Sequence, residues 1–316
     1  MIDRFIFAKS VYTNISRSEK ISKNFRKTLD KSALLVYNKI TETPKGRKAE
    51  CVMKNEIELI PTYWASVSGG KDSLYMLKLI LQHPERYPLD GVIHFELEID
   101  YPFIRNVIDY MESECKKHGV KFVRIKPTKT WEEHYNTVNA KTGSIYGFPI
   151  RKARWCNSHY KLDAKRQMDK YMRSIGRKTI YYIGFCADEE KRMNRTTKST
   201  ELYPLADFGI EENMILEWAR NTPIFNNFYK TNRRCGCMYC PMASKMSLAY
   251  LYKYYPEQFA YMMEKVRETE KIRERELGRP FAVLATNPKY NADYMENIIK
   301  NKWLYKLNEE ENKLIE

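Results

Sequence analysis

The chain has 316 residues, 43% hydrophobic and 13% aromatic, enough to bury a real core and to exclude a disordered polypeptide. Lys and Arg total 55 against 40 Asp and Glu, a net charge of +15 that favours a polyanionic partner, nucleic acid first. No apolar run is long enough to span a bilayer and the N-terminal stretch lacks the apolar centre of a signal peptide, so a cytoplasmic protein with no membrane partner is expected.

Residues 1–60 carry 13 basic and 7 acidic residues with weak periodicity and read as a small basic appendage. It contains a turn at Thr43–Lys48 and a short strand from Met53 to Ile60. An α/β nucleotide-binding domain is expected over 61–225, and a region of clustered cysteines and helices over 226–316. Alternation in Tyr63–Val67 predicts a strand, and Leu74, Leu77, Ile80 and Leu81 have the period of a helix. Between them stands Ser68-Gly69-Gly70-Lys71-Asp72-Ser73. Two glycines bring backbone close to a ligand, the helix start leaves N–H groups unpaired, and Lys71 adds a mobile positive charge. Those features make a phosphate cradle. It is not a Walker A loop, which needs glycine where Ala65 stands and Ser or Thr where Asp72 stands.

Prolines at 84 and 88 break the chain before a short strand at Gly91–Phe95. A helix from Pro102 to His118, stopped by Gly119, then precedes a strand at Val120–Ile125. Strands alternating with helices imply a parallel sheet with ligands at the carboxyl ends of its strands. Further on come Phe148-Pro149-Ile150-Arg151-Lys152-Ala153-Arg154-Trp155-Cys156 with a basic helix through Lys161 and Lys165, and a strand at Ile180–Gly184. After these follow Asp188-Glu189-Glu190-Lys191-Arg192, Leu202–Phe208 and a helix at Glu211–Arg220. From Arg151 to Arg195 there are 13 basic and 5 acidic residues, over half the excess charge of the chain. Arg151, Lys152, Arg154 and Arg192 can neutralise phosphates or a sulfate. Asp188 and Glu189 suit magnesium as hard oxygen ligands, or a helix start for dipole reasons.

The hexapeptide at 68–73 resembles the PP-loop of the ATP pyrophosphatase superfamily. Together with the later segments, in order, it resembles the phosphoadenosine phosphosulfate (PAPS) reductase-like family over roughly residues 63–245. Glu190 stands where that family carries serine in its Gly184 signature. The resemblance implies an adenine nucleotide alpha hydrolase-like, Rossmann-like core that binds ATP or a related adenine nucleotide with magnesium. It implies that Ser68, Gly69, Gly70, Lys71, Asp72 and Ser73 hold phosphates, that backbone at His94 and Phe95 receives adenine, and that Gly184, Asp188 and Glu189 complete the nucleotide site. Arg151, Lys152, Arg154 and Lys161 would bind substrate, and Lys71, Asp72 and Arg192 would serve catalysis.

Cys235-x-Cys237-x-x-Cys240 places three thiols in six residues, and Arg233 and Arg234 just before them are expected to lower thiol pKa values. The resemblance, whose segment ending in Trp-Cys lies beside the nucleotide pocket, implies Cys156 as a fourth ligand; four such thiols suit zinc or a 4Fe-4S cluster, the latter being common in related sulfur-handling proteins, and free thiols that relay a persulfide are a third reading. Cys186 is the alternative fourth ligand, while Cys51 and Cys115 read as packing residues. Helices follow at Met246–Tyr255 and Pro256–Leu277, and a terminal one at Asn291–Glu316.

Two chemistries compete. In one, ATP adenylates an acceptor, nucleic acid by the charge, pyrophosphate leaves, and sulfur from a donor protein such as a cysteine desulfurase enters through the cysteines. That logic resembles the ATP pyrophosphatase of DNA phosphorothioation and the iron-sulfur tRNA thiolases. The other is adenylyl-sulfate (PAPS or APS) reduction, whose thioredoxin-dependent members use a cysteine near the C-terminus; no cysteine follows Cys240. A nucleotide-binding protein without turnover is the non-enzymatic alternative.

Overall fold

The computed structural model describes residues 59–194 and 200–313. All belong to one compact unit beginning at Ile57; the other unit, Met1–Glu56, lies outside the described residues. So do the expected turn at 43–48, the expected strand as far as residue 58, and Cys51.

Five parallel strands form the centre: β1 (Ile60–Val67), β2 (Gly91–Phe95), β3 (Phe122–Ile125), β4 (Arg177–Tyr182) and β5 (Glu201–Leu202). Their order across the sheet is β3-β2-β1-β4-β5. Helices α1 (Lys71–Gln82), α2 (Pro102–Lys117) and α3 (Leu162–Ser174) connect them. This is the α/β, Rossmann-like core that the alternating pattern predicts. Chain order reverses between β1 and β4, and such a switch point opens a crevice at the carboxyl ends of the two strands. Ser68-Gly69-Gly70 leaves β1 there and Gly184 leaves β4 beside it.

Burial explains the elements. Leu74, Met76, Leu77 and Ile80 of α1 are buried, as are Ile104, Val107, Ile108 and Met111 of α2. Val120 and Lys121 fall outside β3, which starts at Phe122, and the expected strand at Ile180–Gly184 starts earlier and ends at Tyr182. The expected basic helix begins as one π-helical turn, Cys156–Lys161, before α3.

Beyond α4 (Glu212–Arg220) the chain is helical: α5 (Lys245–Tyr254), α6 (Pro256–Leu277), α7 (Ala292–Ile298) and α8 (Leu304–Asn312). Tyr101, at the start of α2, packs against Phe228 and Tyr250 at ring distances of 5.4 and 6.1 Å, so sheet and C-terminal helices share one apolar core. The single terminal helix expected from Asn291 is instead α7 and α8 with a π-helical turn, Ile299–Trp303, between them. Asn291 starts it by accepting the Tyr294 N–H at 3.1 Å, while residues 314–316 lie outside the described residues.

Glu270 of α6 is buried and accepts the N–H groups of Val283 at 3.0 Å and Ala292 at 2.9 Å, pinning the segment between α6 and α7. Glu270→Ala leaves two buried donors unpaired and is expected to cost about 2–4 kcal/mol, read from the urea midpoint. An unchanged midpoint would show that water replaces the carboxylate.

Candidate functional site

The glycine loop is closed by its own hydroxyls and by the C-terminal region. Ser68 N–H donates to Ser73 Oγ at 3.2 Å, and Ser73 Oγ donates to the Gly70 carbonyl at 2.9 Å. Lys71 N–H donates to the Tyr229 hydroxyl at 2.9 Å. Gly69 has φ +75°, a left-handed conformation that favours glycine. A Cβ on Gly184 would lie 3.1 Å from the Asp72 carbonyl group, so the loop after β4 runs hard against the start of α1.

The Lys71 side chain is not the mobile charge expected of it. It is 1% exposed and its Nζ lies 2.6 Å from Asp72 Oδ1 and 3.7 Å from Glu212 Oε1. Burial raises the Asp72 carboxyl above its usual value; Lys71 opposes that shift, and Glu189 and Glu212 reinforce it. Arg234 grips Glu212 with Nε and Nη2 at 3.1 and 3.0 Å and holds its carboxyl below the usual range. One chain of charges, Asp72–Lys71–Glu212–Arg234, therefore couples the glycine loop to the cysteine segment. Tyr229 and Glu212 escaped the sequence reading, and Arg234 entered it only as a neighbour of Cys235; nothing in the spacing of the three joins them to residue 71.

Arg234 does not activate its neighbour, contrary to expectation. Burial pushes the Cys235 thiol well up, with Asp100 adding to the effect. Cys237 donates to Cys240, which raises the first thiol and lowers the second, with Arg154 and Lys161 adding to the fall at Cys240. Burial pushes Cys156 up to about 11. All four thiols line one cavity of about 200 Å³ together with Ser68, Gly70, Arg154 and Lys161. Met238 N–H, bonded to the Ile99 carbonyl at 2.8 Å, fixes the cysteine loop over this cavity. Among the described residues no group of three or more His, Cys, Asp or Glu side chains is disposed to hold a metal ion. The four thiols are thus gathered around one space, with donor chemistry suited to zinc or iron-sulfur, but are not drawn into a ligating set. Cys186 is elsewhere, buried with its Sγ 3.8 Å from Asp72 Oδ1, and Cys115 is packed in α2.

Other sequence candidates fall around this centre. His94 is buried with Nδ1 3.0 Å from the Val67 carbonyl, a packed residue at a strand end, and burial lowers its pKa. Phe95 packs with Trp64, Ile93, Met168 and Tyr181. Neither side chain lines the cavity. Asp188 accepts the Glu212 N–H at 3.1 Å, and Glu189 pairs with Arg192 and, at 3.4 Å, with Arg234. Both acids at the Gly184 turn are thus already engaged. Arg192 is half-exposed, its guanidinium 4.3 Å from the Phe185 ring. Arg151, Lys152 and Arg154 line a wider cleft of about 650 Å³ with Tyr146 and His159. Arg154 and Asn157 border both spaces.

A parallel α/β sheet with a glycine loop at its switch point, facing a cysteine-lined cavity, defines the class of site. No family model matches the chain. It is 28% identical over 258 residues to an uncharacterized protein of Methanocaldococcus jannaschii, a match covering 77% of this chain and 55% of that protein. The chain thus spans about half the length of the curated relative it matches. Among solved structures it is similar to the U34-tRNA thiolase NcsA from Methanococcus maripaludis with its 4Fe-4S cluster, at 17% identity and a TM-score of 0.34 over 68% of this chain and 72% of that one. So distant a likeness carries no weight for function. Among the described residues no helix is long and apolar enough to cross a membrane.

Proposed function

We propose that the chain is a PP-loop enzyme that binds ATP with magnesium, adenylates an acceptor oxygen of a nucleic acid and supports its replacement by sulfur. The observation that carries this reading is the single cavity lined by the glycine loop (Ser68, Gly70) and by Cys156, Cys235, Cys237 and Cys240. A nucleotide phosphate cradle and four soft thiols sharing one space suit a reaction joining phosphoryl activation to sulfur chemistry.

The reaction balances without an outside oxidant. The acceptor oxygen bonds to the α-phosphorus of ATP, the bond from that phosphorus to the β-phosphate oxygen breaks, and pyrophosphate leaves along Ser68 to Ser73. Sulfur at the oxidation level of sulfide, released from the donor protein's persulfide by two equivalents of an external thiol that become a disulfide, adds to the activated carbon, and AMP departs with the former acceptor oxygen. Such chemistry is carried mainly by positioning and charge neutralisation. Gly69 and Gly70 bring backbone N–H groups to the phosphates, Arg154 and Lys161 supply charge at the cavity, and Arg151 and Lys152 meet the nucleic acid in the adjoining cleft. Lys71 is a positioning residue that holds Asp72 and Glu212 beneath the loop. Asp188 and Glu189 take magnesium by giving up their present partners, and Arg192, released from Glu189, turns to the phosphates. The four cysteines would hold the 4Fe-4S cluster or zinc; iron would supply soft sites for sulfur, zinc a tetrahedral clip.

Anaerobic purification followed by iron, sulfide and zinc analysis, with pyrophosphate release from ATP measured with and without total RNA, tests the reading. Iron and acid-labile sulfide lost in Cys237→Ala, with RNA-stimulated pyrophosphate release in the wild type, is the expected result. Stoichiometric zinc would make the cysteines structural. Absence of pyrophosphate release with any acceptor, combined with sulfite formation from an adenylyl sulfate, would replace the reading by reduction.

A further inference from the structure

Tyr229 holds a hydrogen-bonding capacity that the fold leaves unused. Its hydroxyl accepts the Lys71 N–H at 2.9 Å, and among the described residues it donates to no acceptor. A phenol has one proton to donate as well as lone pairs that accept, and with the residue 1% exposed bulk water is not at hand to take that proton. Burial keeps the hydroxyl well above its usual pKa, so it remains a neutral donor.

The hydroxyl is aimed at the glycine loop. A Cβ built on Gly70 would lie 3.5 Å from Tyr229 Oη and 3.5 Å from Ser68 Oγ, so the two hydroxyls flank the space that a side chain at 70 would fill. Gly70 has φ −77° and ψ 165°, values open to any residue, and 3.5 Å is an ordinary contact. Neither backbone nor packing excludes a side chain there; glycine instead leaves the space beside the hydroxyls to a ligand oxygen, in the wall of the nucleotide cavity. The ring is fixed by Phe225 and Phe228, which meet it edge-on at 4.9 and 5.5 Å. The chain enters its short helix, Phe228–Thr231, through Asn226 and Asn227, both left-handed at φ 49° and 59° and the only described non-glycine residues of positive φ. That local strain is carried where Tyr229 is presented to the loop.

We propose that the Tyr229 hydroxyl is a phosphate-binding group that donates to a non-bridging oxygen of the β- or γ-phosphate of ATP above Gly70, and to the same oxygen of the departing pyrophosphate. The inference rests on the nucleotide reading of the loop and adds to it a contact from outside residues 68–73. The Lys71 N–H, at the positive end of α1, is spent on Tyr229 and not on the ligand. Tyr229 passes that donor on, because accepting the N–H polarises the phenol and strengthens its own O–H. The contact thereby ties the phosphates to the segment that leads into Cys235.

Calorimetric titration of the full chain with magnesium ATP and with magnesium pyrophosphate tests this on the wild type, Tyr229→Phe and a variant carrying 3-fluorotyrosine at 229. Tyr229→Phe should weaken both ligands about tenfold or more, as for one hydrogen bond to a charged group. Phenylalanine also leaves the Lys71 N–H unpaired, and a loosened loop gives a similar loss. The fluorinated phenol separates the two causes, being a stronger donor and a weaker acceptor. If its O–H meets phosphate, pyrophosphate should bind about twofold more tightly than to the wild type. A role confined to holding Lys71 predicts weaker binding together with a lower urea midpoint. Wild-type affinity in Tyr229→Phe, or equal or weaker pyrophosphate binding by the fluorinated chain, would overturn the inference and leave the nucleotide reading standing. Failure of the wild type to bind either ligand would overturn both.

Discussion

Lys71→Met is expected to lower the free energy of unfolding by about 3 kcal/mol at neutral pH, toward the smaller end for a broken buried ion pair because the Asp72 side chain keeps 35% of its exposure. Methionine preserves the bulk of the stem, so the loss comes from charge. Without the ammonium, Asp72 and Glu212 meet as uncompensated carboxylates, with Glu189 nearby. The pH dependence separates this account from simple loss of packing. Asp72 is raised in the folded chain by burial, so the stability linked to its protonation is present at low pH and is lost as pH rises through its folded value. Lys71 is the leading influence pulling that value down; removing it moves the loss into a wider pH window. Glu212, lowered by Arg234, stays charged over the same range. The deficit of Lys71→Met should therefore be largest at pH 7 and shrink toward pH 5, and Asp72→Asn added to Lys71→Met should recover part of it. Urea midpoints at the two pH values decide: an equal deficit at both, with no rescue, would mean that the Lys71 charge is not what the loop needs.

The same residue shows where sequence reading reached and where it stopped. Ser68 to Ser73 between a strand and an apolar helix could be placed from the chain alone, because period and glycine position are local properties. So could the parallel sheet with ligands at the carboxyl ends of its strands, since strand–helix alternation leaves few topologies; the switch point between β1 and β4 appears only in the strand order. What Lys71 touches was not legible. Its partner Glu212 is 141 positions away and Tyr229, bonded to its N–H, 158. Arg234 misled for the same reason: adjacency to Cys235 suggested an activated thiol, whereas the guanidinium is consumed by Glu212. Cys156 and Cys240, far apart in the chain, do line one cavity with the glycine loop. That meeting was suggested by motif resemblance, not by spacing.

Gly69→Ala is expected to cost about 2–4 kcal/mol, from two separable causes. At φ +75° an L side chain pays roughly 1–2 kcal/mol of steric strain. In addition, the new Cβ would stand 2.6 Å from Ile104 Cγ2, and Ile104 cannot retreat freely because it is 4% exposed within the main core; forcing it to shift adds roughly 1–2 kcal/mol. A double-mutant cycle apportions the two. Ile104→Ala removes the Cγ2 methyl and is itself costly, about 2–5 kcal/mol for a buried isoleucine, but in its background the added methyl meets only Ile108 Cδ1, at an ordinary contact distance of 3.4 Å. Gly69→Ala should then cost only the conformational part, leaving a coupling of about 1–2 kcal/mol between positions 69 and 104. Urea unfolding of the wild type, both single variants and the double variant measures it. Additivity within experimental error would place the whole cost in the backbone; strong coupling would show that α2 sets the shape of the phosphate loop by packing beneath it, with the loop conformation held from below as well as by the serine hydroxyls within it.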